Sequence, residues 1–331
     1  MLCQRCFQIT NYKRNNFGSL SPDLAIAAVK SGIELAEGLI LVLDIMDFEG
    51  SLPAEVVDLV VSSKKPVIAV VNKGDLLPPR TSFSEVKEWV RNELRKRNIS
   101  GHIVVISALS GKGIAELYPL LFGNEVRKWA MIGSTNVGKS AIIQRILRDN
   151  LLSQEKTPTV SSFPGTTVDC LHWRLPAGCL LFDTPGIAPS GRISDQVCSK
   201  CAPKLIPNRS IDVKLYPIKK GTTFVIPSIC SVEVSDTNPG TLAVCFGSPE
   251  LMWHRTRATK IAEFLESGNC ACNLVEWEKH SFTIRRNYDL AISGLGWISI
   301  RKGTANVEVT APKGSTINVR PNLIGPKETL S

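Results

Sequence analysis

Residues 133–140 read Gly-Ser-Thr-Asn-Val-Gly-Lys-Ser and fit the pattern G-x-x-x-x-G-K-[ST] of a phosphate-binding loop. An apolar run, residues 129–132, precedes this segment, and a helical pattern, residues 141–148, follows it. The pattern requires this order, because backbone N–H groups of the loop and of the helix start surround the α- and β-phosphates. Lys139 is expected to bridge the β- and γ-phosphates, and Ser140 to bind Mg²⁺. The predicted nucleotide contacts are Gly133, Ser134, Thr135, Asn136, Val137, Gly138, Lys139 and Ser140.

Two segments further along the chain have the composition of γ-phosphate contacts. The apolar residues 180–182 lead into Asp183-Thr-Pro-Gly186, where an acidic residue at a strand end can anchor Mg²⁺ and glycine lets its N–H approach a phosphate. The polar stretch 164–169 contains two threonines, and a threonine there can close over the γ-phosphate and Mg²⁺. The predicted nucleotide contacts here are Thr166, Thr167, Asp183 and Gly186. The predicted Mg²⁺ ligands are Ser140, Thr167 and Asp183, and the predicted catalytic residues are Lys139, Thr167, Asp183 and Gly186.

Two segments before the phosphate loop predict the nucleobase. Residues 72–75, Asn-Lys-Gly-Asp, follow an apolar run, and the Asp75 carboxylate can accept two hydrogen bonds from the ring N–H and the exocyclic amine of guanine. Adenine does not offer this pair of donors, so such a contact strongly rejects the wrong base. Residues 107–109, Ser-Ala-Leu, end another apolar run and can offer a backbone N–H to the guanine carbonyl. The predicted base-side contacts of GTP or GDP are Asn72, Lys73, Asp75, Ser107, Ala108 and Leu109.

The spacing of apolar runs predicts an α/β fold. Short apolar runs at residues 39–43, 66–71, 103–106, 129–132 and 180–182 alternate with helical patterns, as in a buried, mostly parallel sheet. After about residue 190, proline, glycine and Val/Thr/Ile-rich runs become frequent, and one helix is expected over residues 256–266. We therefore predict the remnant of a zinc-binding segment and a linker over 1–20, a nucleotide-binding α/β domain over 21–190 and a β-rich α+β domain over 203–331.

Composition and charge limit the function classes further. Hydrophobic residues make up 43% of the 331 residues and charged residues 21%, which excludes a disordered or collagen-like chain. No apolar run approaches the roughly 20 residues of a membrane span. The net charge is +9, and residues 191–331 carry 18 basic and 12 acidic side chains, which favours a polyanion such as RNA as a partner. The candidate RNA contacts are Arg285, Arg286, Arg301, Lys302, Trp253, His254, Arg255 and Tyr288. A solvated β surface is the alternative.

The order of the motifs is unusual. The segments 72–75 and 107–109, which are predicted to contact the base (G4 and G5), precede the phosphate loop (G1). The segments 164–169 (G2) and 183–186 (G3) follow it, so the domain has the circularly permuted motif order G4-G5-G1-G2-G3. In this order the chain resembles the circularly permuted GTPases of the YqeH type, which include the plant and mitochondrial nitric-oxide-associated GTPases. Residues 292–298, Ile-Ser-Gly-Leu-Gly-Trp-Ile, resemble the C-terminal signature of that family. Cys3 and Cys6 resemble the second half of its N-terminal zinc finger, whose first cysteine pair is missing here.

The resemblance implies a GTP-hydrolysing switch that assists assembly of the small ribosomal subunit, with ribosomal RNA and proteins as partners. It places the protein in a plastid or the mitochondrial matrix if eukaryotic, and in the cytoplasm if bacterial. Asn136 lies where related potassium-dependent GTPases coordinate K⁺. Ile187 replaces the water-orienting glutamine of other GTPases, which implies slow turnover that a partner stimulates. The alternative is a nucleotide-dependent scaffold with little hydrolysis. Nitric oxide synthesis is rejected, because the sequence has no recognisable flavin, nicotinamide or haem motif.

The other cysteines leave two interpretations open. Cys198 and Cys201 have the spacing of zinc ligands and could complete a site with Cys3/Cys6 or Cys270/Cys272. Reduced thiols are the favoured interpretation, since ten cysteines in this length are far fewer than in a disulfide scaffold.

Overall fold

A computed structural model of the chain describes residues 21–123, 125–150, 159–161, 170–211, 213–251, 253–257 and 276–325. The chain forms two compact units, each built from several segments. The first consists of Met1–Ile45, Ser51–Gly74 and Val90–Ala188, and the second of Met46–Gly50, Asp75–Trp89 and Pro189–Ser331.

The helices in the described residues are α1 Pro22–Leu35, α2 Phe48–Ser51, α3 Ala54–Ser63, α4 Phe83–Arg95, α5 Leu117–Phe122, α6 Lys139–Asn150, α7 Ile193–Gln196 and α8 Ala202–Leu205, with 3-10 turns at Ile45–Asp47, Gly74–Leu76, Ile114–Glu116 and Pro176–Gly178. The first seven strands are β1 Gly38–Asp44, β2 Val67–Asn72, β3 His102–Val105, β4 Lys128–Ile132, β5 Thr159–Ser161, β6 Cys170–Arg174 and β7 Leu180–Asp183. The remaining ten are β8 Lys214–Pro217, β9 Thr222–Ile226, β10 Cys230–Thr237, β11 Leu242–Gly247, β12 His254–Arg257, β13 Trp277–Arg285, β14 Tyr288–Ile292, β15 Gly296–Lys302, β16 Thr304–Pro312 and β17 Ile317–Pro321. No helix among these is long and apolar enough to cross a membrane.

The first unit contains a seven-stranded sheet in the order β3-β2-β1-β4-β7-β6-β5. The five strands predicted from apolar runs, β1 to β4 and β7, are parallel to one another, which confirms the mostly parallel sheet. β1 and β2 are buried along their whole length, as their uninterrupted apolar sequences require. β6 and β5 extend the sheet: β6 pairs antiparallel with β7, and β5 pairs antiparallel with β6. Neither was predicted, because their sequences are short and mix polar with apolar residues.

The sheet places the predicted site at one edge. β4 lies in the middle of the sheet, paired with β1 on one side and β7 on the other. Because parallel strands end at the same edge, the residues after β2, β3, β4 and β7 all begin there. The phosphate loop follows β4 directly, and the segments 72–75, 107–109 and 183–186 follow its neighbours.

The second unit is a sandwich of two five-stranded antiparallel sheets. Their strand orders are β12-β9-β10-β16-β13 and β17-β14-β15-β11-β8. A single hydrophobic core joins them, with Phe224 and Val307 from the first sheet and Leu290 and Ile298 from the second. The β-rich prediction is confirmed. The predicted helix over residues 256–266 starts incorrectly, because Thr256 pairs with β9 as part of β12, and the residues after 257 lie outside the described part.

Two short segments that lie between strands of the parallel sheet in sequence belong to the second unit. Asp47 holds the first of them: its carboxylate accepts hydrogen bonds from Ser293 Oγ at 2.9 Å, Gly294 N at 3.1 Å and Arg192 Nε at 2.7 Å. In the other segment, Trp89 Nε1 donates to Pro321 O at 2.9 Å. The signature Ile-Ser-Gly-Leu-Gly-Trp-Ile thus receives a structural role, because its serine and first glycine bind Asp47.

Candidate functional site

The phosphate loop is closed around its lysine. Lys139 Nζ donates to Gly133 O and Ser134 O, both at 2.9 Å, and the Lys139 side chain is buried. Asn136 has a φ of 64° and is exposed in the middle of the loop. The loop therefore wraps around a buried ammonium group, the arrangement from which a lysine reaches the β- and γ-phosphates.

Asn72 joins the phosphate loop to the base loop, which we define as residues 107–112. Asn72 Nδ2 donates to Val137 O at 3.0 Å, and Asn72 Oδ1 accepts from Ala108 N at 3.0 Å. Asn72 is buried, so neither bond competes with bulk water. Gly138 packs against this amide: with a φ of 98°, its added Cβ would lie 2.2 Å from Asn72 Nδ2. Asn72 thus fixes the two loops relative to each other.

The lysine and aspartate after Asn72 have different surroundings. Lys73 has a φ of 65° and its ammonium is bonded to the carboxylate of Asp44 at the end of β1. Gly74 N donates to Ile106 O at 2.9 Å. Asp75, the predicted guanine-reading carboxylate, is half-buried in the 3-10 turn that starts at Gly74. Asp44 was not predicted as a site residue, because it reads only as the end of an apolar strand.

Arg145 is a second residue that the sequence did not indicate. It lies on α6, and its Nε donates to Ala108 O at 3.0 Å while its Nη2 donates to Leu109 O at 2.7 Å. No side-chain motif marks such a residue, because its partners are two backbone carbonyls.

Gly186 lies beside the phosphate-loop lysine. A Cβ at Gly186 would be 3.0 Å from Lys139 Nζ and 2.9 Å from Thr135 Cα, so any side chain would fill the space next to the ammonium group. The preceding Thr184 is buried, and its Oγ1 donates to Met131 O at 2.6 Å. The buried threonine anchors the segment to β4, which holds Gly186 at this position.

Ile187 pairs with the phosphate loop through its backbone. Its N–H donates to Gly133 O at 3.3 Å, and its carbonyl accepts from Thr135 N at 2.9 Å. The Ile187 side chain is only 4% exposed. An apolar, buried side chain cannot orient an attacking water, so this position supplies backbone contacts to the loop and no general base.

The oxygen donors fit Mg²⁺. Ser140 is exposed in the first turn of α6, and Asp183 ends β7 next to β4. Hydroxyl and carboxylate oxygens are ligands that Mg²⁺ prefers. Ser134 Oγ is buried in the same loop and has no hydrogen-bond partner among the described residues. Thr166 and Thr167 lie outside the described residues.

The described residues contain no cluster of three or more His, Cys, Asp or Glu side chains that could hold a metal ion. Cys3 and Cys6 lie outside them, as do Cys270 and Cys272. Cys198 and Cys201 are half-buried and close a turn in which Cys201 N donates to Cys198 O at 2.9 Å. Burial raises the pKa of Cys230 to about 12 and also raises that of Cys245, so these thiols are protonated at neutral pH.

The second unit has a basic end, formed by Lys219, Lys220, Arg285, Arg286 and Lys302. All five side chains are exposed on neighbouring turns. The turns are brought together by strand pairing, which aligns Leu242 with Lys302 and Arg285 with Thr304, and by a bond from Ile218 N to Thr241 O at 3.1 Å. No carboxylate among the described residues forms an ion pair with any of the five.

The other predicted RNA contacts differ from one another in exposure. Trp253 is buried, and Arg301 is half-buried with its guanidinium 5.7 Å from the centre of the Phe246 ring. His254 and Arg255 are exposed on β12, where the Arg255 guanidinium lies 5.9 Å from the Tyr216 ring centre. Tyr288 is half-buried at the start of β14. The exposed cations, and not the aromatic rings, are therefore the groups that can reach a partner.

Three family models match successive parts of the chain. The model described as "Elongation factor Tu GTP binding domain" matches residues 26–123, and "50S ribosome-binding GTPase" matches residues 128–226. The model "YqeH-like, C-terminal" matches residues 241–323. The first GTPase match contains the base-reading segments and the second contains the phosphate loop, in the permuted order.

Similar proteins occur in bacteria and plants. "Uncharacterized protein YqeH" of Bacillus subtilis is 29% identical over 98% of this chain and 91% of its own length. "NO-associated protein 1, chloroplastic/mitochondrial" of Arabidopsis thaliana is 28% identical over 86% of this chain and 61% of its own length. A "GTPase Der" of Acetivibrio thermocellus is 31% identical over 50% of this chain and 38% of its own length.

Proposed function

Because this chain belongs to the YqeH-type circularly permuted GTPases, we propose that it is a GTP-hydrolysing switch that assists assembly of the small ribosomal subunit. The observation that carries the nucleotide part is the Asn72 bridge, which joins the phosphate loop and the base loop through two hydrogen bonds of 3.0 Å. This bridge supports the proposal because it holds the phosphate loop and the base loop at a fixed separation. The ribosomal part rests on the family and on the cations of the basic end.

The chemistry proposed for the site is positioning and charge stabilisation. Lys139 neutralises charge on the β- and γ-phosphates, and the N–H of Gly186 contacts the γ-phosphate. Ser140, Asp183 and Thr167 would hold Mg²⁺, which would supply positive charge beside the phosphates. Phosphoryl transfer requires little covalent chemistry from the protein, so these groups supply most of the rate enhancement.

Slow intrinsic turnover follows from Ile187, because no side chain at that position orients water. Asn136 is exposed in the phosphate loop, where a K⁺ ion bound to its side-chain oxygen would add positive charge near the transferring phosphate. We propose that K⁺ and a ribosomal partner together compensate for the absence of the water-orienting glutamine that other GTPases have at this position. A nucleotide-dependent scaffold with little hydrolysis is the second candidate, favoured by the same buried isoleucine.

The connection between the two units suggests how nucleotide state is transmitted. Ile187 is bonded to the phosphate loop in the first unit. In the second unit, Ser190 O accepts from Thr316 Oγ1 at 3.3 Å and Gly191 O accepts from Thr316 N at 2.8 Å. Only Ala188 and Pro189 lie between these anchored residues, and proline stiffens the link. We propose that a movement at Gly186 and Ile187 on γ-phosphate binding is passed to the sandwich through this link.

The decisive experiment measures GTP turnover in KCl and in NaCl, without ribosomal subunits and with purified small or large subunits. The switch predicts K⁺-dependent hydrolysis that small subunits stimulate. Stimulation by large subunits alone would overturn the small subunit as partner and favour the large subunit, in line with the matching model "50S ribosome-binding GTPase". Tight GTP binding without turnover under any of these conditions would establish the scaffold instead.

A further inference from the structure

We infer that Arg145 is a positioning residue for guanine recognition, and that the backbone N–H of Leu109 is the donor to the guanine carbonyl. The inference rests on the proposed guanine specificity, adds Arg145 to it and specifies which backbone N–H of the predicted segment 107–109 is used. Its basis is the pair of hydrogen bonds from Arg145 to Ala108 O and Leu109 O, at 3.0 and 2.7 Å.

The base loop contains one peptide N–H that remains available. Ala108 N–H is already bonded to Asn72 Oδ1, and Ser110 N–H to Ser107 Oγ at 3.0 Å. Leu109 N–H, which lies between them, donates no hydrogen bond to any of the described residues. An N–H without a protein partner on the loop that follows β3 is the donor that a purine carbonyl would require.

Arg145 fixes the direction of this N–H. The carbonyl of Ala108 and the N–H of Leu109 belong to the same planar peptide group and point in opposite directions. A guanidinium bonded to that carbonyl therefore orients the N–H on the other side of the peptide. The second bond, to Leu109 O, fixes the next peptide group, so the loop cannot rotate about Leu109.

The guanidinium itself is held in place. α6 is anchored by the buried Ile142 and Ile146, and Arg145 Nη1 lies 3.7 Å from Asp149 Oδ1, one turn later. Asp149 Oδ2 accepts a hydrogen bond from Tyr118 Oη at 2.8 Å. Gly111 leaves the necessary room: its φ is 84°, and an added Cβ would lie 2.9 Å from Arg145 Nη2. Because α6 also begins at Lys139, one helix supports both the phosphate contact and the base loop.

The test compares equilibrium binding of GDP and ADP, with Mg²⁺, to the full chain and three variants. Adenine has no ring carbonyl, so its binding does not use the Leu109 N–H. In Arg145→Ala we expect the affinity for GDP to fall about tenfold to hundredfold, the effect of losing a charged donor to two carbonyls, while the affinity for ADP is unchanged. Arg145→Lys should restore part of the GDP affinity. Arg148→Ala, on the same helix and 3.6 Å from Asp149, should bind both nucleotides like the wild type.

Equal losses of GDP and ADP affinity in Arg145→Ala would overturn the inference, because they would indicate general damage to the helix. Unchanged GDP affinity would also overturn it. If Arg145→Ala does not fold, the GDP-to-ADP affinity ratio of Arg145→Lys decides the question in the same way. A wild-type protein that binds GDP and ADP equally would instead refute the proposed guanine specificity, independently of Arg145.

Discussion

Loops from several strands lie together at two places in the molecule. The polar side chains at these two places differ in burial and in bonding. At the edge of the parallel sheet, the side chains of Asn72 and Lys139 are buried and bonded to backbone carbonyls. At the basic end of the sandwich, the cations are exposed and none forms an ion pair with the described residues. The first arrangement has a fixed geometry, whereas the second has charge without a fixed geometry.

The difference fits the two kinds of ligand that we propose. A nucleotide is small and is recognised by atoms at set distances, so displacing one backbone group changes its affinity sharply. A nucleic-acid backbone is a repeating charge, and exposed lysines and arginines bind it through counterion release with little dependence on sequence. The comparison therefore predicts steep, local effects of substitution at the first site and additive, salt-dependent effects at the second.

The largest effect is expected for Gly138→Ala. The new Cβ would lie 2.2 Å from Asn72 Nδ2, which would break the bridge between the phosphate loop and the base loop. We expect GDP affinity to fall by about 100-fold, the equivalent of two hydrogen bonds in a buried site. Isothermal titration calorimetry would measure it.

The matched control is Gly178→Ala. Gly178 has a φ of 71° and no atom within 4 Å of an added Cβ, so the variant adds similar backbone strain without a clash. If both variants lost nucleotide affinity equally, strain alone would account for the result and the Asn72 bridge would have no special importance.

An intermediate effect is expected when two cations are removed from the basic end. In Arg285→Ala/Arg286→Ala, the slope of log affinity for small-subunit ribosomal RNA against log salt concentration should decrease by about 1 to 2. Filter binding between 50 and 300 mM KCl, roughly the range in which screening changes most, would measure this slope.

The control for this variant removes the same charge elsewhere in the second unit. Lys279 and Lys313 are exposed, but each is paired with a glutamate at 2.7 Å, Glu308 and Glu276 respectively. Lys279→Ala/Lys313→Ala should leave the salt slope unchanged. Equal changes in both double variants would show that RNA responds to net charge and not to the basic end.

The smallest effect of the three is expected at Ile187, where the measured quantity is the rate of GTP hydrolysis. Ile187→Gln should not raise the intrinsic GTP turnover by more than about twofold, because the backbone pairing with the phosphate loop keeps this side chain buried. It should lower the free energy of unfolding by about 1 to 3 kcal/mol, the cost of burying an amide without a hydrogen-bond partner. Single-turnover kinetics and thermal melting would measure the two quantities.

Ile187→Val keeps the side chain apolar and serves as the control, with turnover and stability close to the wild type. A large gain in turnover for the glutamine variant alone would mean that residue 187 can face the nucleotide. That outcome would contradict our conclusion that residue 187 supplies only backbone contacts to the phosphate loop.

The parallel sheet could be predicted from sequence because it depends on local signals, and the nucleotide contacts after its strands stay a prediction of the same kind. Uninterrupted apolar runs specify strands buried on both faces, and the glycines and polar residues after them mark the site. Asp44 and Arg145 could not be predicted, since the first pairs with a lysine of a different strand end and the second binds backbone groups. Such partners become visible only when the fold brings them together.

Sequence patterns also could not predict which segments belong to the second unit. Residues 46–50 and 75–89 lie between strands of the parallel sheet in sequence, yet they pack with the sandwich. The predicted helix start at residue 256 was wrong for a related reason, because pairing of Thr256 with β9 outweighs local helix preference. In each case a contact distant in sequence decides the structure.

The packing of Trp89 has a consequence for the synthesis of the chain. Its indole donates to a carbonyl 232 residues later, on β17, and the Arg320 guanidinium lies 4.9 Å from its ring centre. Translation proceeds from the N-terminus, so this large side chain emerges from the ribosome with Phe48, whose ring centre lies 4.9 Å away, but long before Arg320 and Pro321 are made. A protein truncated near residue 190 would leave the Trp89 side chain without Arg320 and the Pro321 carbonyl, and we expect such a fragment to aggregate where the full chain does not. The nucleotide-binding half is therefore a poor candidate for expression on its own.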